Sequence, residues 1–251
     1  MNSFIPWIGG KKLLRKKIIA EFPKEGEFER YIEVFGGAGW VLFAKEAGKH
    51  LEVFNDIDSN LINLYRCIKY HCEELQKELD WLCISREQFF DSKEQLNTKG
   101  MTDIQRAARY FLVIKISFGA NRKSFGIKTT NLINIVEDLI KVKDRLQKVI
   151  IENHPYDKLI KTYDREKALF YLDPPYVDAE TYYNGNFSMD DHKKLNTILK
   201  GIKGKFILSY NDNEYIQELY KDFNVIAIDR NSNLLTKSKP SRYKELIIKN
   251  F

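Results

Sequence analysis

Little in this sequence would tie it to a membrane, an oxidising compartment or a metal. Apolar runs are short, as in Phe206-Ile207-Leu208, far below the roughly 20 residues a membrane-crossing helix needs. The first residues, Met1-Asn2-Ser3-Phe4-Ile5-Pro6, hold no basic stretch followed by an apolar one. No signal peptide is therefore expected, and the cytoplasm is the expected location. Only three cysteines occur, Cys67, Cys72 and Cys83. Their odd number argues against a disulfide framework, and they form no CxxC pair, with His71 the one histidine nearby. Buried small apolar side chains are expected there, and no metal site. Neither an internal repeat nor a low-complexity tract is visible.

What is present fits a packed α/β protein. The 251 residues are 43% hydrophobic and 30% charged, enough for one large domain or a catalytic core with an insertion. The net charge of +6 leans toward a polyanionic partner such as nucleic acid.

Periodicity orders the chain. Leu14, Ile18 and Phe22 share one face of a helix predicted from Lys11 to Phe22, stopped by Pro23. Tyr31 to Phe35 reads as a strand, followed by a glycine turn. A helix from Val41 to Ala47 and a second strand, Leu51 to Phe54, come next. Strand, turn, helix and strand in this order open a parallel sheet with crossover helices. Residues 59–147 are mostly helical in pattern. Strands return at Lys148–Ile151, Ala168–Leu172 and Lys205–Ser209, with helices expected around Tyr156–Lys161, Asp190–Leu199 and Asn213–Lys221. Asn224–Asp229 and Glu245–Lys249 read as closing strands joined by a basic loop. The expectation is a catalytic core from residues 1–58 and 148–251, interrupted by a helical insertion at 59–147.

Two motifs carry chemistry. Phe35-Gly36-Gly37-Ala38-Gly39 sits where the first strand hands over to the first helix. Glycines there let a backbone approach a ligand closely and take positive φ. Asp56 ends the second strand, where a carboxylate can accept hydrogen bonds from both ribose hydroxyls of an adenosine-containing cofactor. A nicotinamide dinucleotide and S-adenosylmethionine both remain open here. Leu42 breaks the full GxGxxG register, which tilts toward a ligand with no pyrophosphate.

The second motif, Asp173-Pro174-Pro175-Tyr176, follows the apolar strand Ala168–Leu172, and carboxyl ends of parallel strands face the ligand crevice. Two prolines fix φ and remove two backbone donors, leaving a rigid turn with accepting carbonyls. An exocyclic amine is a poor nucleophile because its lone pair is delocalised into the ring. Asp173 and the Pro174 carbonyl can accept from its two N–H bonds and aim the lone pair at a methyl sulfonium, while Tyr176 stacks on the base. Cytosine N4, an RNA base and a protein glutamine are alternative acceptors. A dehydrogenase has no use for the Pro-Pro turn, and a plain DNA-binding module would not need both motifs.

With both motifs placed, the chain resembles the Dam-like DNA adenine methyltransferases, the D12 class whose order is cofactor turn, recognition region, then DPPY. The likeness runs from Trp7-Ile8-Gly9-Gly10-Lys11 through Phe35, Gly37 and Gly39, Asn55-Asp56-Ile57-Asp58 and the tetrapeptide to Glu245-Leu246-Ile247-Ile248-Lys249-Asn250. The resemblance implies a Rossmann-like, S-adenosylmethionine-dependent core with a helical target-recognition insertion, methylating N6 of adenine in double-stranded DNA. It implies that Trp7, Lys11 and the Phe35 turn contact the cofactor, that Asp56 holds its ribose and Ile57 its adenine, and that Asp173 faces the same ligand. Where the family often carries Asp-Phe, this chain has Pro155-Tyr156. Asp157 or a backbone carbonyl is expected to meet the cofactor's adenine amine instead.

A base inside a duplex cannot reach the sulfonium, so the target must flip out. The stretch Asn121-Arg122-Lys123-Ser124-Phe125 is the expected reader. Arg122 or Lys123 would address guanine edges or phosphates, and Phe125 would wedge into the stack. A second basic loop from Arg230 through Lys239 to Arg242 is expected on phosphates. A monomer is expected, with no membrane partner and with a cognate restriction endonuclease as a further partner.

Overall fold

The computed structural model describes residues 1–126, 136–177, 187–230 and 243–251; of residues 229, 230, 243 and 244 it describes the backbone alone. In chain order the elements begin with α1 (Arg15–Ala20), β1 (Arg30–Glu33), α2 (Trp40–Ala44) and β2 (Leu51–Asn55). Helices then dominate: α3 (Ser59–Tyr70), α4 (Cys72–Asp80), α5 (Arg86–Gln95), α6 (Asp103–Ile116), a 3-10 turn at Phe118–Ala120, and α7 (Leu139–Leu146). The alternation resumes with β3 (Val149–Glu152), α8 (Tyr156–Tyr163), β4 (Ala168–Leu172), α9 (Met189–Lys200), β5 (Lys205–Asn211) and α10 (Glu214–Leu219). It closes with β6 (Asn224–Arg230) and β7 (Tyr243–Lys249). No helix among the described residues is long and apolar enough to cross a membrane.

The chain forms two compact units. One comprises Met1–Gly10, Gly37–Ala47 and Glu52–His154; the other comprises Lys11–Gly36, Gly48–Leu51 and Pro155–Phe251. The boundary passes between Gly10 and Lys11 and between Gly36 and Gly37, so it cuts both glycine motifs.

In the first unit β2 and β3 run parallel, with Glu52 opposite Val149 and Asn55 opposite Glu152. Residues 59–147 belong to this unit. α3 starts where the Asp58 side chain accepts from the N–H groups of Asn60 and Leu61, and α6 starts at a reciprocal Thr102–Gln105 capping box. Such caps each contribute about 1 kcal/mol. The buried faces of α3 (Leu61, Leu64, Tyr65, Ile68) and α6 (Ala107, Phe111, Leu112) meet in the core. Glu52 lies buried between Lys45 and Arg145, whose guanidinium bonds both carboxylate oxygens at 2.6 and 2.9 Å. Burial alone would raise its carboxyl, but the two cations hold it below its ordinary value.

In the second unit the strands lie in the order β1-β4-β5-β7-β6. β1, β4 and β5 are parallel, and β7 runs antiparallel to both β5 and β6. Every residue of β4 is buried, which is why Ala168–Leu172 reads as an unbroken apolar run. β4 therefore delivers Asp173 to the carboxyl end of the parallel strands.

Several boundaries differ from those periodicity predicts. α1 begins at Arg15 because Lys11 first closes a turn onto Leu14 and Arg15. α2 stops at Ala44 because Lys45 is extended, with its side chain drawn onto Glu52. Cys67 and Cys72 are buried as expected, but Cys83 is exposed.

Candidate active site

The first unit gathers the turn residues around the end of β2. Asp56 Oδ2 accepts from the Gly37 N–H at 2.8 Å and Oδ1 from the Asp58 N–H at 2.9 Å. Burial pushes the Asp56 carboxyl up to about 6, against the lowering effect of those two N–H groups. Each oxygen has a further lone pair, so ribose hydroxyls can still be accepted. Gly37 and Gly39 take φ of 49° and 64°, and a Cβ on Gly37 would stand 2.8 Å from Trp7 Nε1. Only glycine lets the turn lie under that indole. Ile57, next in the chain, leaves 59% of its surface exposed, an apolar face free for an aromatic ring. Asn153 was not foreseen. Its Nδ2 donates to the carbonyls of Asp56 and Ile57 at 2.7 and 3.2 Å, while Asn55 exchanges two bonds with the backbone of His154. These crosslinks fix the ends of β2 and β3.

The second unit builds the other group around the tetrapeptide. Lys11 Nζ lies 2.6 Å from Asp173 Oδ1 and 3.4 Å from Glu245 Oε1, and 4.8 Å over the Tyr176 ring. Ser209 of β5 reaches the same Oδ1 at 3.4 Å, and Tyr171 of β4 bonds Ser209. Burial raises the Asp173 carboxyl to about 6 even though Lys11 pulls it down. The Tyr176 hydroxyl donates to Glu245. Pro174 is buried, and Pro175 and Tyr176 are half-buried. Phe35 packs against Tyr156 and Phe187 with ring centres 5.7 and 5.8 Å apart. Asp157 is paired with Lys194 at 2.6 Å. Glu245 escaped the sequence reading, although a lone carboxylate opening an apolar strand is a visible signal.

The expected reader loop is held by one bridge between Ser117 and Phe125. The Arg122 guanidinium turns inward: it bonds Asp58 Oδ2 at 3.0 Å and the Tyr110 hydroxyl at 2.7 Å, and lies 4.8 Å over the Trp7 ring. Asn121 spends its oxygen on the N–H groups of Lys123 and Ser124. Phe125 packs on the cluster of Phe89, Leu112, Val113 and Ile116. Lys123 is exposed, and Phe118, which sequence reasoning passed over, is 66% exposed. Arg230 ends β6, and Lys239 lies outside the described residues.

Comparison with known proteins agrees with these motifs. The sequence model of the D12 class N6 adenine-specific DNA methyltransferases matches residues 7–234. A type II methyltransferase of Lactococcus lactis, M1.LlaDCHI, is 28% identical over all of this chain and 96% of its own length. The type II methyltransferase M.MjaIII of Methanocaldococcus jannaschii is 25% identical, with 100% and 99% covered. A DNA adenine methylase of Serratia marcescens is 24% identical over 88% of this chain and 87% of its own.

Proposed function

The chain belongs to the D12 class of N6 adenine-specific DNA methyltransferases, and we propose that its two residue groups divide the work of that transfer. In the first unit, Asp56 accepts the ribose hydroxyls of S-adenosylmethionine, Ile57 offers its open face to the cofactor's adenine, and the glycine turn under Trp7 approaches it closely. The carbonyls of Asp56 and Ile57, braced by Asn153, are the backbone acceptors offered to the cofactor's adenine amine. When bound, S-adenosylmethionine supplies an electrophilic methyl group.

In the second unit, Lys11 and Ser209 both address Oδ1 of Asp173, which leaves Oδ2 to accept from the adenine amine. The Pro174 carbonyl takes the other N–H, and Tyr176 stacks on the flipped base. The methylated nitrogen must shed a proton, and a carboxylate raised to about 6 is basic enough to take it at Oδ2. The single observation that carries this assignment is the buried Lys11–Asp173 pair at the end of β4, which keeps an otherwise costly carboxylate charged.

The exposed loop residues Lys123 and Phe118 meet the duplex, Lys123 on phosphate and Phe118 against the opened stack. Arg230 and Lys239 add phosphate contacts. The enzyme acts as a monomer in the cytoplasm, and the type II labels of two relatives support a cognate endonuclease.

The test is transfer of labelled methyl from S-adenosylmethionine to mixed-sequence duplex DNA. Label is expected at adenine N6, and Asp173→Ala should abolish it while cofactor binding persists. Label in cytosine, or full activity in Asp173→Ala, would defeat the assignment.

A further inference from the structure

Glu245 has no place in the mechanism so far, yet it is 3% exposed in β7, opposite Asn211 of β5 and Ile228 of β6. A buried carboxylate costs several kcal/mol unless it is paired, and an apolar residue at such a position is usually cheaper. Its neighbours are the parts of the amine site. Oε1 accepts the Tyr176 hydroxyl and lies 3.4 Å from Lys11 Nζ. Lys11 in turn holds Asp173 at 2.6 Å and sits over the Tyr176 ring. Tyr176, Glu245 and Lys11 close a ring of three, and Asp173 joins it through Lys11.

We propose that Glu245 is a positioning residue of the amine site, tethering the Tyr176 ring and sharing Lys11 with Asp173. The inference rests on the tetrapeptide being that site. The tether matters because a tyrosine stacks usefully only if its ring plane is fixed before the base arrives. The shared lysine matters because Asp173 must stay ionised yet keep an oxygen for the amine. With Glu245 present, Lys11 is drawn toward two carboxylates rather than committed to one. The groups that face Asp173 are Lys11, Glu245 of β7, Ser209 of β5, Tyr171 of β4 and Tyr176. Among them Lys11 lowers its carboxyl and Glu245 raises it.

Three variants test this by single-turnover methylation, cofactor binding and pH profile. Glu245→Ala should slow methyl transfer about 10-fold or more, the scale of one lost oriented contact, while the cofactor dissociation constant stays within about twofold. Glu245→Gln keeps an acceptor for Tyr176, so part of the rate should return. It also removes a negative charge near Asp173, so the acid limb of its pH–rate profile should move to lower pH. In a Tyr176→Phe background the loss from Glu245→Ala should shrink, because the tether is already gone. An acid limb that stays in place in Glu245→Gln overturns the proposal, even if Glu245→Ala does not fold. So does a folded Glu245→Ala whose rate is within about twofold of the parent. Asp173→Ala, run in parallel, separates the two levels. If it still methylates, the amine-site assignment fails. If it is inactive beside an unaltered Glu245→Ala, only the role of Glu245 fails.

Discussion

In the role proposed for it, Asp173 works best ionised, because a carboxylate is the stronger acceptor and can take the proton the amine sheds, so its protonation would set the acid limit of the reaction. Burial has raised that carboxyl to about 6, and the competent form is therefore lost as pH falls through this value rather than through the ordinary range near 4. The methyl-transfer rate at saturating cofactor should fall about tenfold for each pH unit below that point. Lys11 favours the ionised form, so Lys11→Met should move the limb to higher pH; a limb moved downward would contradict the pairing. Asp56 is raised to about 6 as well, but its loss should show in cofactor affinity, which separates the two carboxylates. Asp173 was legible because the two prolines and the apolar strand before it leave a rigid turn at one place only. Glu245 shows in the sequence only as a lone carboxylate opening an apolar strand; its role does not, because its partners Lys11 and Tyr176 lie 234 and 69 residues away in the chain, and no local pattern joins them.

At the scale of elements, strands and long helices followed from periodicity, whereas short elements were decided by side-chain bonds that periodicity does not see. α2 lost its last turn to the Lys45–Glu52 contact, and the loop at residues 117–126 was settled by where its side chains found partners. Asp58 is the hinge of that outcome. Its Oδ1 caps α3, and its Oδ2 accepts from both Tyr110 and Arg122. Arg122 holds this position with a φ of 57°, an uncommon conformation for a side-chain-bearing residue. Its guanidinium thereby ties the loop to Trp7 and to Asp58, the cap of α3 two residues on from Asp56. Arg122→Ala should weaken cofactor binding in the absence of DNA by about tenfold, the scale of a lost charge-assisted contact, measured by titration calorimetry. If cofactor affinity is unchanged and sequence choice relaxes instead, Arg122 reads DNA from another conformation of the loop.

At the scale of the whole molecule, the charge of +6 was weak as an argument for nucleic acid and becomes specific only through where basic residues are spent. Arg122, Arg145, Lys11 and Lys45 are each paired with a carboxylate of the same chain, which offsets their charge in this conformation. The phosphate contacts proposed above fall instead to Lys123, which is exposed, and to the basic sequence from Arg230 to Arg242, of which residues 231–242 lie outside the described residues. Binding to a duplex should then weaken linearly in log–log form as salt rises, because each neutralised phosphate releases condensed counterions. A lysine on one phosphate contributes about 0.9 to that slope. Lys123→Ala should lower the slope by that amount and weaken binding alike for target and non-target duplexes. Arg145→Met, an equally basic residue removed from the interior, should leave the slope unchanged. The comparison is informative because both variants lower the net charge equally. A slope that fell by the same amount in both would show that bulk charge, and not the placed lysine, drives association.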